Sequence, residues 1–274
     1  MNRPLDSKRL PDALSSGARV RHAALGAAMW HDAQVTVNGY PFVAHYSDEA
    51  YVQVLRPLLV RLAALHARSG KRVIAFLAGP PAAGKSTLAL LLQLLASDVP
   101  GCDLQAIGLD GFHHYNDYLL SHTIQRDGVT IPLKAIKGAA ETFDVERFAA
   151  KLAQLRDGGE VSWPVYDRTI HDPRENAVQV TAPIVLIEGN WLLLDEAPWS
   201  HLASLADYTV FLRADEAGVR ERAITRKAKG GISREEAEAH YDRSDGPNVH
   251  RVLTHSLPAD CTICLQPDGD LRLG

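Results

Sequence analysis

The sequence predicts a doubly wound, mainly parallel α/β sheet, and three observations predict it. From residue 72 onward, apolar stretches of strand length alternate with helical patterns. Stretches such as "VIAFLA" and "IVLI" are continuously apolar, as expected of a parallel strand covered on both faces. The first of them runs through a glycine-rich turn directly into a leucine-rich helix.

In chain order, residues 1–32 show no sustained period and read as a poorly ordered N-terminal segment. Residues 33–274 read as a single domain. Its first part, 33–70, is a hairpin and a helix. "QVTVNGYPFVAHY" alternates around Asn38-Gly39, a pair suited to the positive φ of a type I′ turn. The helical pattern after it can be capped by Ser47 and ended by Gly70, and Pro57 should kink or restart it. In the remainder, 71–274, strands are expected at 72–78, 104–109, 183–188, 207–213 and 260–265. Helices are expected at 85–96, 144–157, 214–228 and 233–243, the last opening on the capping box Ser233-Arg-Glu-Glu236.

Composition excludes several classes. Of 274 residues, 46% are hydrophobic and 23% charged, ordinary for a chain that buries a core. With 29 Lys+Arg against 33 Asp+Glu the net charge is −4, not the basic surplus of a nucleic-acid binder. No apolar run approaches the ~20 residues of a membrane span, and the N-terminus lacks the apolar region of a signal peptide. Three cysteines are too few for a disulfide scaffold and fit a reducing, cytoplasmic setting. Cys261 and Cys264 have CxxC spacing but fall in an expected strand, where residues three apart point to opposite faces; core packing is favoured over a metal or redox role.

The connecting turn carries the chemistry. Gly79-Pro80-Pro81-Ala82-Ala83-Gly84-Lys85-Ser86, followed by Thr87, fits G-x-x-x-x-G-K-[ST]. Small residues let successive amides turn inward around phosphate oxygens. The helix that starts near Lys85 adds its positive end. Lys85 brings a full charge to the terminal phosphates, and the Ser86 hydroxyl can ligate Mg²⁺. The expected cofactors are therefore a nucleoside triphosphate and Mg²⁺, held by a P-loop.

Ligands of open parallel sheets sit at the carboxyl ends of the strands, where Asp110 and Glu188 stand. One can take the proton of an acceptor hydroxyl, and the other can position Mg²⁺. Phe112, His113, His114 and Tyr115 can wall a pocket. "WPVYDRTIHDP" concentrates Tyr166, Asp167, Arg168 and His171, which suit hydrogen bonding to a polyhydroxylated or heterocyclic acceptor. Arg222 and Arg226 share a helical face ahead of Gly230-Gly231, the pattern of a lid spanning about 220–245 that brings arginines over a transferring phosphate.

The ordered motifs "AGPPAAGKST", "LDGFHHYNDYL", "KGAAETFD", "WPVYDRTIHDP", "IVLIEGNWLLLD", "RKAKGGISREEAEAHY" and "DGPNVHRVL" resemble a bacterial nucleoside/nucleotide kinase-like P-loop family. Some of its members are labelled fructokinase, and it is related to uridine kinase, pantothenate kinase and phosphoribulokinase. The likeness runs from about Val35 to Leu265. It implies a P-loop kinase fold with Asp110 as catalytic base and Glu188 as the metal-associated carboxylate. It also implies Tyr166 and His171 on the acceptor, Lys137 in a loop near it, and Arg222 and Arg226 in the lid. Gly-Phe-His-His after Asp110 and the long segment "SHTIQRDGVTIPLKAIKG" depart from the relatives on the acceptor side.

Two functions are expected from this. One is a kinase that transfers the γ-phosphate of ATP to a hydroxyl of a sugar-like or nucleoside-like metabolite, using Lys85, Asp110, Arg222 and Arg226. The other is a nucleotide-binding regulator without a metabolite acceptor; the lack of an NKxD guanine-reading motif argues against a GTPase. The expected partner is a small molecule, with no nucleic acid and no membrane, and a homodimer is a further expectation from the relatives.

Overall fold

The structure is a computed structural model and describes residues 21–25, 28–37, 40–126 and 128–274. The N-terminal part is an antiparallel sheet of β1 (Arg21–Leu25), β2 (Ala28–Val37) and β3 (Tyr40–Ser47). The poorly ordered segment expected through residue 32 is therefore corrected at its end. Trp30, His31 and Asp32 pair with Ser47, Tyr46 and His45 of β3. His31 is buried and stacks on Tyr46 at 5.1 Å, so a polar residue occupies an inward position that hydrophobic periodicity does not mark. The Asn38-Gly39 turn lies outside the described residues.

Ser47 caps α1 (Asp48–Ala50) as expected, accepting a hydrogen bond from the Ala50 amide. The chain then widens through Tyr51–Leu55 before α2 (Arg56–Ser69), which ends at Gly70 with φ 62°. Pro57 causes the restart. Its ring would meet a carbonyl four residues back in a regular helix, and the wide turn, in which the Arg56 amide reaches Tyr51 O, removes that conflict.

The core sheet has the order β13-β12-β11-β4-β10-β5. β4 (Val73–Ala78), β5 (Leu104–Gly108), β10 (Ile184–Gly189), β11 (Tyr208–Ala214) and β12 (Cys261–Leu265) are parallel; β13 (Leu271–Leu273) closes the edge antiparallel. All six β4 residues are buried. Val73, Ala75 and Leu77 face one core shared with α2, with α3 (Lys85–Leu95) and with Ala33 and Val35 of the N-terminal sheet. Ile74, Phe76 and Ala78 face the other, built on α5 (Val145–Asp157) and on Phe112, Trp163 and Trp191. One hydrophobic core thus ties the hairpin to the helix that leaves the P-loop. Ser47, almost fully buried, adds a tie to the far end of the chain: its amide and hydroxyl both donate to the Asp270 carboxylate, at 3.1 and 2.7 Å.

Three segments without expected elements are regular. Between β5 and α5 lie α4 (Asn116–Ser121) and a hairpin of β6 (Thr123–Arg126) and β7 (Val129–Pro132). The "WPVYDRTIHDP" segment is not a loop but most of a hairpin, β8 (Val161–Asp167) with β9 (Asp172–Val180), bulged between Trp163 and Val165. Pro164 sits in that bulge, where its missing N–H breaks no ladder bond. After α6 (Glu216–Lys229) and α7 (Arg234–His240), a second wide turn, Tyr241–Asp245, leads into α8 (Gly246–Thr254), again with proline in the first turn. The helix expected at 233–243 therefore widens after His240 and runs on to Thr254. Cys261 and Cys264 carry free thiols on β12, and among the described residues no group of three metal-ligating side chains converges. Among the described residues no helix is long and apolar enough to cross a membrane.

Candidate active site

The P-loop hangs between the ends of β4 and β11. Gly79, at φ 154°, passes so close to β11 that a Cβ there would stand 2.5 Å from Leu212 O. Gly84, at φ 97°, ends the turn and precedes α3. Between them Ala82 also has positive φ, 60°, a conformation costly for a side chain with a Cβ. The loop so shaped delivers Lys85 into the interior at 6% exposure. Its ammonium donates to Pro80 O at 2.8 Å and to Asn190 Oδ1 at 2.6 Å. Both acceptors are neutral. Burial pushes the Lys85 pKa down to about 8, against the pull of Glu188 and Asp110, with Arg226 adding to the depression.

Next to it the Ser86 hydroxyl donates to Glu188 Oε1 at 2.8 Å. Burial raises the Glu188 pKa, Lys85 opposes the rise, and Asp110 reinforces it. A buried cation with neutral hydrogen-bond partners, beside a hydroxyl–carboxylate pair, fits a polyphosphate and its Mg²⁺. Lys85 and the amides of Ala82 and Gly84–Thr87 would hold the phosphates, since Pro80 and Pro81 have no N–H and that of Ala83 bonds Pro80 O, and Ser86 and Glu188 would hold the metal.

Asp110 follows β5 in a short turn, Asp110–Phe112. Gly111 presses this turn on the β8 bulge, where a Cβ would meet Pro164 O at 2.2 Å. The buried Trp163 indole fixes the same contact by donating to Gly108 O at 2.9 Å. Asp110 is thereby presented to a cavity of about 170 Å³ whose polar wall also includes Ser86, Tyr166 and Glu188, and whose apolar wall includes Val37, Ala89 and Leu90. The structure thus brings the expected base, metal pair and Tyr166 to one cavity, and adds Val37 from the N-terminal sheet.

The other expected acceptor residues surround Tyr166. His113 is buried, with its ring 5.2 Å from that of Tyr166 and its Nδ1 2.8 Å from Asp110 O. Burial lowers its pKa, so the neutral ring donates from Nδ1 and leaves Nε2 as an acceptor. Lys137 stands 4.9 Å and Arg168 5.8 Å from the Tyr166 ring centre. Arg168 also reaches Asp110 at 3.6 Å. His171 enters differently from the expectation. Its side chain is exposed, and its backbone, at φ 55°, offers the carbonyl to Lys137 and Asn116.

Above the P-loop, Arg222 donates from Nε to Ala82 O at 3.0 Å, which joins α6 to the turn. Arg226 is exposed but close enough to act on the Lys85 charge. Glu221 accepts from Thr225, four residues on, at 3.1 Å and pairs with Arg234 at 2.7 Å, which locks α6 to α7.

Sequence reasoning missed Asn190, Asn116, Lys134 and Asp172. Asn190 had a signal, since it follows a strand-end carboxylate by two residues in "IEGNW". The other three meet only through tertiary structure.

Comparison with known proteins identifies the family and supports the fold. The profile of the Phosphoribulokinase / Uridine kinase family matches residues 73–254. The uncharacterized Escherichia coli protein YggC is 44% identical over 238 residues, 86% of this chain and 96% of that one. A provisionally named uridine kinase of Schizosaccharomyces pombe is 31% identical over 200 residues, 70% of this chain and 83% of the relative. Among solved structures, a kinase provisionally assigned to fructose transport in a Silicibacter species superimposes with TM-score 0.65 at 31% identity, over 73% of this chain and 98% of its own. The chain belongs to the phosphoribulokinase/uridine kinase family of P-loop kinases.

Proposed function

We propose that the protein is an ATP-dependent kinase that phosphorylates a hydroxyl group of a small metabolite. The observation that carries this reading is one cavity lined by the Ser86–Glu188 pair, Asp110 and Tyr166, with the buried Lys85 ammonium directly before Ser86 in the chain. A nucleotide switch would need no carboxylate facing such a space.

When bound, MgATP supplies the transferable phosphoryl group and leaves as ADP. The residues of this chain do the rest. Lys85 and the amides of Ala82 and Gly84–Thr87 hold the phosphate chain for transfer to the acceptor. Asp110 accepts the proton of the attacking hydroxyl as its oxygen bonds to phosphorus. Arg222 and Arg226 neutralise the charge that spreads over the transferring oxygens. Tyr166 and His113 orient the acceptor, Tyr166 by its ring and hydroxyl and His113 by an acceptor nitrogen.

The test is ADP release by the purified protein with MgATP across a panel of sugars, nucleosides, sugar acids and sugar phosphates. One acceptor class should raise the rate far above the background. A slow rate that no compound raises would favour the regulator.

A further inference from the structure

We propose that the alcohol phosphorylated here carries a compact anionic group, a carboxylate or a phosphate, seated among Lys134, Lys137 and Arg168 beside Tyr166. This rests on the kinase reading and specifies its acceptor.

The observation is a local surplus of positive charge. Lys134 and Lys137 both direct their ammonium groups at one neutral oxygen, Asn116 Oδ1; the Lys137 bond is 2.9 Å. Lys137 also donates to His171 O at 2.7 Å and keeps only 16% side-chain exposure. The nearest carboxylate, Asp172, is 3.9 Å from Lys137, and its Oδ1 already accepts the Asn116 amide at 2.8 Å. Burial and the neighbouring Lys134 press the Lys137 pKa down and Asp172 only partly opposes them, so the two ammonium groups repel each other. Two cations on one neutral acceptor are costly unless an anion completes the set.

The position of the cluster says which anion. Lys137 and Arg168 both stand over Tyr166, which lines the cavity with Asp110. Both also act on the buried His113 ring next to Asp110. Lys137 and Arg168 therefore stand at the Tyr166 wall of the cavity, and Lys134 joins them through Asn116. The phosphates of the nucleotide would have Lys85 and the lid arginines instead. Arg168 supplies a link to the chemistry. At rest it leans on Asp110 at 3.6 Å, both side chains half exposed, an ion pair of little strength. An anion on the acceptor offers Arg168 a second partner and leaves the Asp110 carboxylate free for the hydroxyl. A neutral sugar or nucleoside offers no such exchange.

The experiment uses matched probes: ribose, ribonate and ribose 5-phosphate, with glycerol, glycerate and glycerol 3-phosphate. Turnover is read as ADP release, and binding is read as thermal stabilisation of the MgATP-loaded protein. Anionic members should be turned over and should stabilise, and their neutral partners should do neither. Whether carboxylate or phosphate members succeed identifies the anion. Lys137→Gln should raise KM for the anionic acceptor about tenfold or more, the value of a charge-assisted hydrogen bond. Arg168→Gln, on an exposed side chain that does not endanger folding, should lower kcat as well as raise KM. Equal turnover of neutral and anionic partners overturns the inference and leaves the kinase reading standing. If no probe is turned over, stabilisation by the anionic members alone, lost in Lys137→Gln, supports the seat; its absence overturns it. Failure to bind MgATP overturns the kinase reading itself.

Discussion

Gly79→Ala and Gly84→Ala form a pair whose difference can be worked out from the backbone. Both glycines have positive φ, 154° and 97°, so an alanine at either position accepts strain of about 1–2 kcal/mol. At Gly84 the added Cβ meets nothing within 4 Å. At Gly79 it lands 2.5 Å from Leu212 O and 3.3 Å from Leu212 C, far inside contact distance. Relief would require β4 and β11 to move apart, but Val210 and Phe211 are paired with Leu77 and Ala78 at the very end of that ladder. Overpacking of this kind adds about 1–3 kcal/mol. Gly79→Ala should thus lose about 2–5 kcal/mol and Gly84→Ala about 1–2 kcal/mol. At about 2–4 °C per kcal/mol for a chain of this order of size, the first should melt roughly 4–20 °C below the wild type and the second roughly 2–8 °C below. The check is thermal unfolding followed by circular dichroism without nucleotide. Equal melting temperatures for the two variants would refute the claim that the P-loop is wedged against β11.

Asp110→Asn should cut turnover about 10²–10⁴-fold, the usual weight of a positioned base, with little change in melting temperature because the side chain is half exposed; wild-type turnover would remove Asp110 from the mechanism. Arg251→Met should lower stability by about 3 kcal/mol. It strips Glu196 of bonds at 2.9 and 2.6 Å and Glu141 of one at 2.9 Å. Burial works to raise the Glu141 pKa, yet its own backbone amide, Arg251 and Arg126 together bring it below the ordinary 4.5. The stability that this carboxylate contributes is present above pH 4.5 and lost as pH falls through the lower folded value, so the acid limb should lose steepness in Arg251→Met when ΔG of unfolding is measured against pH. For His113 the sign is the same. Burial depresses its pKa below 6.5, so stability falls as pH drops from 6.5 toward the folded value, and His113→Asn should flatten that part of the profile.

The P-loop and the strands around it were legible because their signals are local. The motif is contiguous, and strands covered on both faces are apolar at every position. The β8–β9 hairpin was hidden because the bulge at Pro164 and the exposed turn from Arg168 to His171 leave no alternation in "WPVYDRTIHDP". α8 was hidden behind Gly246-Pro247, which reads as a break; in the structure proline occupies the first turn, where its missing N–H costs nothing. The site divides in the same way. Lys85, Ser86, Asp110 and Glu188 lie in motifs or at strand ends. Lys134 meets Asn116 across 18 positions, and Asn116 meets Asp172 across 56; no spacing rule spans such gaps.

The clasp between Ser47 and Asp270 bears on how the protein is born. Its two halves are 223 positions apart in the chain. A ribosome adding about 5–20 residues per second needs roughly 11–45 s to cover that distance. Through that interval the Ser47 amide and hydroxyl wait without the carboxylate to which they donate. Slowing translation should lengthen the exposure, and a holding chaperone should shorten the list of wrong partners met in the meantime.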